Sequence, residues 1–246
     1  MSRDHSVRTG DARASVGGSG AAWPPRSYLA SLAEPMRGEL LALGTKRVFS
    51  PEQIFITEGD ENRDVFILVS GIVKVTAAAA SGVRKLIDMQ VGGDTVGEMA
   101  ALDGQPRSAT VSAAGHVEAV QISSDDLGVF FQANPAAADA MTRMLSQRLR
   151  LKIGQILDFG EFDAPTRLAR TLVALAEKCG SSAPGGVALD MPLTQPELAS
   201  LVGTAEATVH KAMRALRDGG AITTGYRRLT ILDMTALRAV AELAPV

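Results

Sequence analysis

The feature that most constrains the fold is an abrupt change of pattern near residue 136. Between residues 47 and 120, short runs of Val, Ile, Phe and Thr alternate with Gly, Asp and Ser, and in residues 65–76 a Ser-Gly pair separates two apolar runs. Many short strands joined by glycine turns are typical of an antiparallel sandwich or jelly roll. From residue 136 to 158 glycine nearly disappears and the apolar residues recur at helical spacing. This second pattern predicts a helix of about six turns.

The apolar stripe on this helix indicates what the helix packs against. Its members are separated by four, four, four and three positions, and most of the basic residues of the segment lie off this face. Such a stripe can simply cover the preceding β domain. A helix this long after a compact β domain more often also pairs with a second copy of itself, so we predict a dimerisation helix. The stripe consists of Met141, Leu145, Leu149, Ile153 and Ile156.

The last third of the chain has the pattern of a helix–turn–helix followed by a basic hairpin. Residues 158–163 have the pattern of a hinge, after which Asp163 can cap a new helix. Thr194 and Glu197 form a capping-box pattern at the start of a further helix, and Gly203 ends that helix. The next helix ends at a pair of glycines, and two short β-like runs then flank a basic turn. Together these features predict a winged helix.

These patterns predict an α+β chain of four parts. We expect a flexible N-terminal tail over residues 1–26, a β jelly roll over 27–135, a dimerisation helix with its hinge over 136–162, and a winged helix–turn–helix over 163–246. The tail contains several Gly, Arg and Ala residues but no continuous apolar core, so it does not have the pattern of a secretory signal.

Composition excludes several classes of protein. The formal net charge is −2, so a surface that binds nucleic acid must be a local patch. No uncharged apolar run reaches the roughly 18 residues of a membrane span, and we expect no membrane partner. The single cysteine, Cys179, excludes an internal disulfide, a cysteine zinc site and an iron–sulfur cluster, and it fits a reducing cytoplasm. The three histidines are scattered along the chain and do not indicate a haem site, so we expect no cofactor. Catalytic motifs are missing, so we expect no enzyme activity.

A string of fourteen residues, 97–110, has the features of an anion site. A turn leads into a short helix, whose first backbone amides can bind an anion. After a second turn, Arg107 can hold a phosphate with two parallel hydrogen bonds, and Ser108 can donate another. Glu98 can accept a hydrogen bond from a sugar hydroxyl, although a surface ion pair between Glu98 and Arg107 is the plainer interpretation. The residues of this candidate site are Gly97, Glu98, Met99, Ala100, Arg107 and Ser108.

The helix–turn–helix supplies candidates for DNA contacts. Its second helix presents early exposed residues to the base edges of a major groove, and its basic side chains can bind phosphate or guanine. The plainer interpretation is a solvated basic face, on which Glu206 merely favours the positive start of the helix. The candidate DNA-binding residues are Thr194, Glu206, Thr208, His210, Lys211 and Arg214 in the helices and Arg227 and Arg228 in the wing.

The string at 97–110 closely resembles the phosphate-binding cassette of cyclic-nucleotide-binding domains. The three folded parts, taken in order, resemble the Crp/Fnr family of bacterial transcription regulators over residues 27–237. This resemblance implies a homodimer that takes a cyclic nucleotide as effector and binds a two-fold symmetric operator on double-stranded DNA. It also implies RNA polymerase as a further partner.

The resemblance assigns roles within the ligand site as well. It implies that Glu98 binds the ribose 2′-hydroxyl, while Arg107 and Ser108 bind the cyclic phosphate together with nearby amides. The long helix is then expected to complete the ligand site with Arg148, Lys152 and Ile153.

The position that reads the base departs from the family pattern. Cyclic-AMP-responsive members carry a Thr-Ser or Thr-Thr pair where this chain has Lys152 and Ile153. Lysine offers only donors and isoleucine offers neither donor nor acceptor, so the amine of adenine loses a side-chain acceptor. Two ligands stay open: cyclic AMP, held mainly by the cassette, and cyclic GMP, whose O6 can accept from Lys152. We rank cyclic AMP first by a narrow margin.

The DNA-binding helix departs from the family pattern too. The familiar activators have an Arg-Glu-Thr-Val run where residues 206–209 of this chain are Glu-Ala-Thr-Val, so the operator should differ from the best-known one. The alternative function is a regulator that binds DNA without nucleotide and has a vestigial pocket, or one that reads another ligand. The retention of both Glu98 and Arg107 argues against a vestigial pocket, since a site without a ligand has no physical need for both.

Overall fold

The computed structural model describes residues 23–189, 191, 193–225 and 228–244. Most of the predicted tail lies outside the described residues, and so does Arg227 of the predicted wing. At the start of the described part, the indole Nε1 of Trp23 donates to the backbone oxygen of Val69 at 2.8 Å. A 3-10 turn at Leu29–Ser31 follows and is packed into the core.

Two antiparallel sheets form the first domain. The elements are, in chain order, α1 (Glu34–Leu43), β1 (Thr45–Phe49), β2 (Ile54–Ile56), β3 (Val65–Ser70), β4 (Ile72–Ala78), β5 (Arg84–Val91), β6 (Thr95–Val96), α2 (Glu98–Asp103), β7 (Thr110–Ala113), β8 (Val117–Ile122) and α3 (Ser124–Ala133). The sheets have the strand orders β1-β8-β3-β6 and β2-β7-β4-β5, which is a jelly-roll arrangement. The predicted β domain is therefore confirmed.

Strand β3 shows why this part of the chain is so rich in apolar residues. Phe66 and Leu68 belong to the core between the two sheets, whereas Val65 and Ile67 belong to a second core against the helices. Because both faces of the strand are covered, it has a continuous apolar run in place of the alternation of a strand with one face in water.

Helix α4 (Pro135–Glu161) leaves the β domain and runs for 27 residues, or about 40 Å. Met141 and Met144, near its start, are buried against the first domain. Further along, Leu149, Ile153 and Ile156 of the predicted stripe are 61%, 49% and 64% exposed. The second half of the stripe is therefore apolar surface that this single chain does not cover.

The break after α4 is narrower than the sequence predicts. Helical geometry continues to Glu161, so the hinge expected over 158–163 is confined to Phe162 and Asp163. The side chain of Asp163 accepts a hydrogen bond from the backbone N–H of Thr166, as expected for an N-cap.

Among its described residues, the second domain contains four helices and two hairpins. They are α5 (Ala164–Cys179), β9 (Ser181–Ala183), β10 (Gly186–Leu189), α6 (Gln195–Val202), α7 (Glu206–Asp218), β11 (Ile222–Gly225), β12 (Arg228–Ile231) and α8 (Met234–Val240). The strands form one small sheet in the order β11-β12-β10-β9. The predicted helix–turn–helix with its wing is confirmed, and the β9–β10 hairpin extends the wing sheet.

The two domains are packed against each other as well as linked by α4. Leu86 and Met89 of β5 lie in the same buried cluster as Leu198, Ala199 and Val202 of α6. The first helix of the helix–turn–helix therefore contacts the edge strand of the β sandwich directly.

Candidate functional site

The start of α2 is built around a glycine. Gly97 is the N-cap residue and has φ +82°, in the left-handed region that glycine adopts without strain. A Cβ at this position would lie 2.5 Å from a guanidinium nitrogen of Arg107 and 2.9 Å from the backbone oxygen of Asp64. Only glycine therefore lets the chain turn into α2 while the guanidinium packs beside it.

Arg107 is held from several sides. One terminal nitrogen donates to Gly97 O at 2.8 Å, and the other donates to Asn62 Oδ1 at 2.9 Å and to Asp64 O at 2.6 Å. Burial lowers the pKa of Arg107, against the opposing charges of Asp64, Asp60 and Glu98. Arginine has five N–H groups, so within the described part of the chain two of them have no protein acceptor.

Glu98 does not form the surface ion pair with Arg107 that the plainer interpretation expects. Its carboxylate is buried, and Oε1 accepts a hydrogen bond from Arg148 of α4 at 2.9 Å. Oε2 lies 3.3 Å from the hydroxyl of Thr95, and the other terminal nitrogen of Arg148 donates to Thr95 O at 3.1 Å. The acid of the cassette is therefore bound to the long helix.

The predicted residues of α4 are divided between two surfaces. Lys152 faces the first domain, where its Nζ donates to Ile87 O at 2.7 Å and lies 3.8 Å from a carboxylate oxygen of Asp88. Burial lowers the pKa of Lys152, Asp88 raises it, and the nearby cations Lys178 and Arg148 lower it further. Ile153 lies on the exposed apolar stripe and is not part of the ligand site within this chain.

The remaining cassette residues are more open. Ser108 and Met99 are exposed, and the Ser108 hydroxyl lies 3.7 Å from the sulfur of Met99. Ala100 is buried on the inner side of α2. The structure thus brings Gly97, Glu98, Arg107 and Arg148 into one connected group, with Ser108 at its open edge.

The helix–turn–helix has the local structure that its sequence predicts. Thr194 caps α6, and its capping box with Glu197 has both reciprocal hydrogen bonds. Gly203 ends α6 with φ +65°, and a Cβ there would lie 2.2 Å from the ring of Phe159 at the end of α4. The turn of the motif is therefore packed directly against the long helix.

Helix α7 has a buried face and a polar face. Val209, Ala212, Met213 and Leu216 are buried, whereas Thr208 is half-buried. The exposed predicted residues are Glu206, His210, Lys211 and Arg214. Residues three and four apart share a helix face, so these side chains lie together. Arg228 begins β12 in the wing.

Sequence reasoning missed an ion pair between the two domains. Lys74 of β4 is 5% exposed, and its Nζ lies 2.7 Å from Glu197 Oε1 in α6. Nearby, Lys178 of α5 donates to Gln90 Oε1 at 2.7 Å. The sequence signal for this ion pair was a lysine within a largely apolar strand, because a buried charge needs a partner of opposite charge.

The ion pair between Lys74 and Glu197 is expected to make the stability of the protein depend on pH. Although burial alone raises the pKa of Glu197, its bonds to Lys74 and Thr194 lower it below the usual value. A carboxyl group whose pKa is lower in the folded than in the unfolded protein contributes its full stabilisation at pH values above the unfolded-state pKa. This contribution is lost as the pH falls through the folded-state pKa. We expect wild type to lose about 1 kcal/mol more stability than Glu197→Gln between pH 7 and pH 3.5, because the group is partly exposed and screened.

Thermal unfolding of both proteins at each pH measures this difference. Gln at this position still satisfies a capping box, so α6 should keep its cap in the variant. The other carboxyl groups titrate alike in the two proteins, and parallel losses of stability would contradict the role of the Glu197 charge.

The described residues contain no group of three or more His, Cys, Asp or Glu side chains arranged to hold a metal ion. No helix among them is long and apolar enough to cross a membrane.

Burial raises the pKa of the Cys179 thiol to about 12.

The structure joins a β domain that contains the candidate anion site, through a long helix, to a winged helix–turn–helix. This combination defines a DNA-binding regulator. Residues 46–134 match the cyclic nucleotide-binding domain, and residues 166–240 match the Crp-like helix-turn-helix domain. The chain is 30% identical over 180 residues to the CRP-like cAMP-activated global transcriptional regulator of Mycobacterium tuberculosis, covering 73% of this chain and 80% of that protein. It therefore belongs to the Crp/Fnr family of transcription regulators, which are not enzymes.

Two more distant similarities agree with this membership. The cAMP-activated global transcriptional regulator CRP of Salmonella typhimurium is 24% identical over 185 residues, covering 74% of this chain and 87% of that protein. The structure of FixK2 from Bradyrhizobium japonicum superposes with a TM-score of 0.71 at 18% identity, covering 82% of this chain and 98% of that one. The second similarity concerns the fold alone.

Proposed function

We propose that this protein is a homodimer in which a cyclic nucleotide, cyclic AMP or cyclic GMP, shifts the orientation of the DNA-binding domains. The observation that carries the proposal is the ion pair between Glu98 and Arg148. It connects the cassette to the helix that leads to the second domain. A ligand that competes for Glu98 therefore acts on α4 directly.

The ligand site would hold the nucleotide at two ends. The ribose 2′-hydroxyl donates to Glu98, and the cyclic phosphate lies at the start of α2. There the amides of Met99 and Ala100, the remaining N–H groups of Arg107 and the hydroxyl of Ser108 donate to it. The exposure of Ser108 and Met99 supports this arrangement, because it leaves one side of the cassette open to a ligand.

Contacts around the break between α4 and α5 support coupling to the DNA-binding domain. Asp158 and Arg170 form an ion pair at 2.9 Å across it. Arg167 lies over the ring of Phe159 and donates to the backbone oxygen of Val202 at 3.1 Å, so the end of α4 is tied to the turn of the helix–turn–helix. A ligand shifts the equilibrium between two orientations of the DNA-binding domains only if its affinity differs between them.

The exposed apolar stripe of α4 supports the dimer. Leu149, Ile153 and Ile156 would pack on the same residues of a second α4, as in a coiled coil. In that arrangement Ile153, which is outside its own ligand site, would lie at the subunit interface. Residues 27–135 then form the ligand domain, 136–162 the dimerisation helix and 163–246 the DNA-binding domain.

The polar face of α7 supports DNA binding. In the proposed complex, His210, Lys211 and Arg214 enter the major groove beside Glu206, and the wing contacts the adjacent backbone. A two-fold dimer binds two half-sites about one helical turn apart. We propose that the protein acts in the cytoplasm and that RNA polymerase is a further partner.

Calorimetric titration of the purified protein with cyclic AMP and cyclic GMP at matched salt tests the proposal. We expect saturable binding of at least one nucleotide, followed by tighter binding to an operator selected from random duplexes. If nucleotide binds and leaves the affinity for DNA unchanged, the proposed coupling is wrong.

One observation favours the alternative, a regulator that works without nucleotide. Glu98 is already neutralised by Arg148, and three of the five N–H groups of Arg107 already have acceptors, so most of the cassette's charged groups are paired without a ligand. If neither nucleotide binds and the protein alone binds its selected operator, this alternative replaces the proposal.

Lys211→Ala is expected to weaken operator binding without changing nucleotide affinity. If Lys211 binds a phosphate, the loss should be similar for all sequences, and the slope of log affinity against log salt should fall by about 1. If it reads a base, the loss should be about 1–3 kcal/mol and confined to one position of the operator. Lys46→Ala, which removes an exposed lysine from β1, is the matched control. Equal loss of DNA and nucleotide binding would contradict the division of functions between the domains.

A further inference from the structure

Two basic side chains of helix α4, one helical turn apart, bind polar groups of the ligand domain. Arg148 donates to Thr95 O and binds Glu98, the proposed ribose partner. Four residues later, Lys152 donates to Ile87 O of β5. Four residues correspond to a rise of about 6 Å along a helix, comparable to the distance from a ribose to the far edge of its base. A base attached to a ribose at Glu98 can therefore extend along α4 as far as Lys152.

A carboxylate stands beside Lys152. Asp88 Oδ2 lies 3.8 Å from Lys152 Nζ, and the two side chains are 27% and 37% exposed, so a ligand can reach both. The Asp88 carboxylate accepts hydrogen bonds from Met89 N at 2.8 Å and from Gln90 Nε2 at 3.0 Å. Lys178 Nζ lies 3.9 Å from Oδ1, beyond hydrogen-bond distance. A carboxylate has about four acceptor positions, so roughly two are not occupied by a hydrogen bond.

Lys152 also has donor capacity left. Its Nζ donates to Ile87 O at 2.7 Å and to Gln155 Oε1 at 3.1 Å. An ammonium has three N–H groups, so within the described part of the chain one remains for a ligand. The two side chains thus offer one donor and roughly two acceptor positions side by side.

The Watson–Crick edge of guanine has the complementary arrangement. It carries one acceptor, O6, beside two donors, N1–H and the 2-amino group. Adenine carries one acceptor and one donor on the same edge, so it can make one bond to each side chain. Guanine can make one bond to the ammonium and two to the carboxylate, which is the bidentate geometry that favours specific recognition.

We infer that Asp88 and Lys152 together read the base and that the site prefers cyclic GMP to cyclic AMP. This inference rests on the proposed function, because it requires a nucleotide at the cassette. It reverses the ranking made from the sequence, which considered the side chains of the long helix and not the strand opposite. One additional charge-assisted hydrogen bond corresponds to roughly a tenfold to hundredfold tighter binding of cyclic GMP.

Calorimetric titration of the full-length protein with cyclic GMP, cyclic IMP and cyclic AMP tests the inference. Cyclic IMP keeps O6 and N1–H but lacks the 2-amino group, so it measures the additional bond without any mutation. We expect cyclic GMP to bind at least about tenfold tighter than either of the others. Cyclic GMP binding no tighter than cyclic IMP or cyclic AMP would overturn the inference and leave the proposed function standing.

A pair of variants assigns the preference to Asp88. Asp88→Asn keeps the shape of the side chain and is expected to weaken cyclic GMP about tenfold more than cyclic AMP. Asp139→Asn removes an exposed carboxylate from α4 and should leave all three affinities unchanged. Equal weakening of the three nucleotides by Asp88→Asn would overturn the role of Asp88. Failure of all three to bind the wild-type protein would overturn the proposed function together with the inference.

Discussion

Replacing Arg107 with alanine is expected to abolish nucleotide binding and also to lower the stability of the ligand domain. The first effect follows from the loss of the two hydrogen bonds that Arg107 is proposed to donate to the phosphate, which should weaken the affinity at least about a hundredfold. The second follows from the structure, because Gly97 O, Asn62 Oδ1 and Asp64 O lose their donor together. A buried polar group left without its partner costs about 1–3 kcal/mol, and the cost is smaller for Asn62, which is exposed, than for the half-buried Gly97 and Asp64.

Two measurements separate these effects. Denaturant unfolding gives the change in stability, and titration at a temperature where the variant is folded gives the change in affinity. Arg107→Lys keeps the positive charge but not the fork of donors, so it should recover little of the nucleotide affinity. Arg84→Ala removes an exposed arginine from the same domain and is the matched control. Nucleotide affinity that is unchanged in Arg107→Ala would remove this residue from the site.

The double variant Leu149→Glu, Ile156→Glu is expected to be a folded monomer with operator affinity at least about a hundredfold below wild type. Both side chains are more than 60% exposed in the single chain, so the fold should not need them. In a two-fold dimer each substitution acts twice, and burying a large aliphatic side chain contributes about 1.5–3 kcal/mol. The dimer therefore loses several kcal/mol, while a monomer reaches only one half-site.

Sedimentation equilibrium measures the assembly state, and titration of the selected operator measures the affinity. Gln147→Glu places one new negative charge on an exposed position of α4 away from the stripe, and it should remain dimeric. A double variant that stays dimeric would mean that the protein pairs through another surface. A monomeric wild type would remove the dimer from the proposed function.

Local structure was predictable where it depends on neighbours in the chain. The capping box of Thr194 and Glu197 has both of its expected bonds, and Asp163 caps α5 as its position before Pro165 predicts. These features involve side chains three residues apart, whose geometry is fixed once the helix begins. The exact end of α4 was not predictable, because the glycine and aromatic residues near it are weak helix formers that tertiary packing can retain in a helix.

The partners of the charged residues were not predictable in the same way. The sequence indicates that Glu98 and Arg107 belong to one site, and an ion pair between them is the plainer of its two interpretations. In the structure Glu98 pairs with Arg148, fifty residues away, and Arg107 donates to two backbone oxygens and to the side chain of Asn62. Backbone acceptors have no sequence signature, and a long-range partner is chosen only by packing.

The sequence by itself determined the elements and their order: a glycine-punctuated β domain with its cassette, a long helix with an apolar stripe, and a capped helix–turn–helix with a wing. These depend on periodicity and on local hydrogen bonds, which a few neighbouring residues specify. Only the tertiary structure decided that Lys74 pairs with Glu197, that Asp88 stands beside Lys152, and that half of the stripe is exposed. These facts depend on which surfaces meet, because a charge takes a partner only from the side chains that packing brings within a few ångströms.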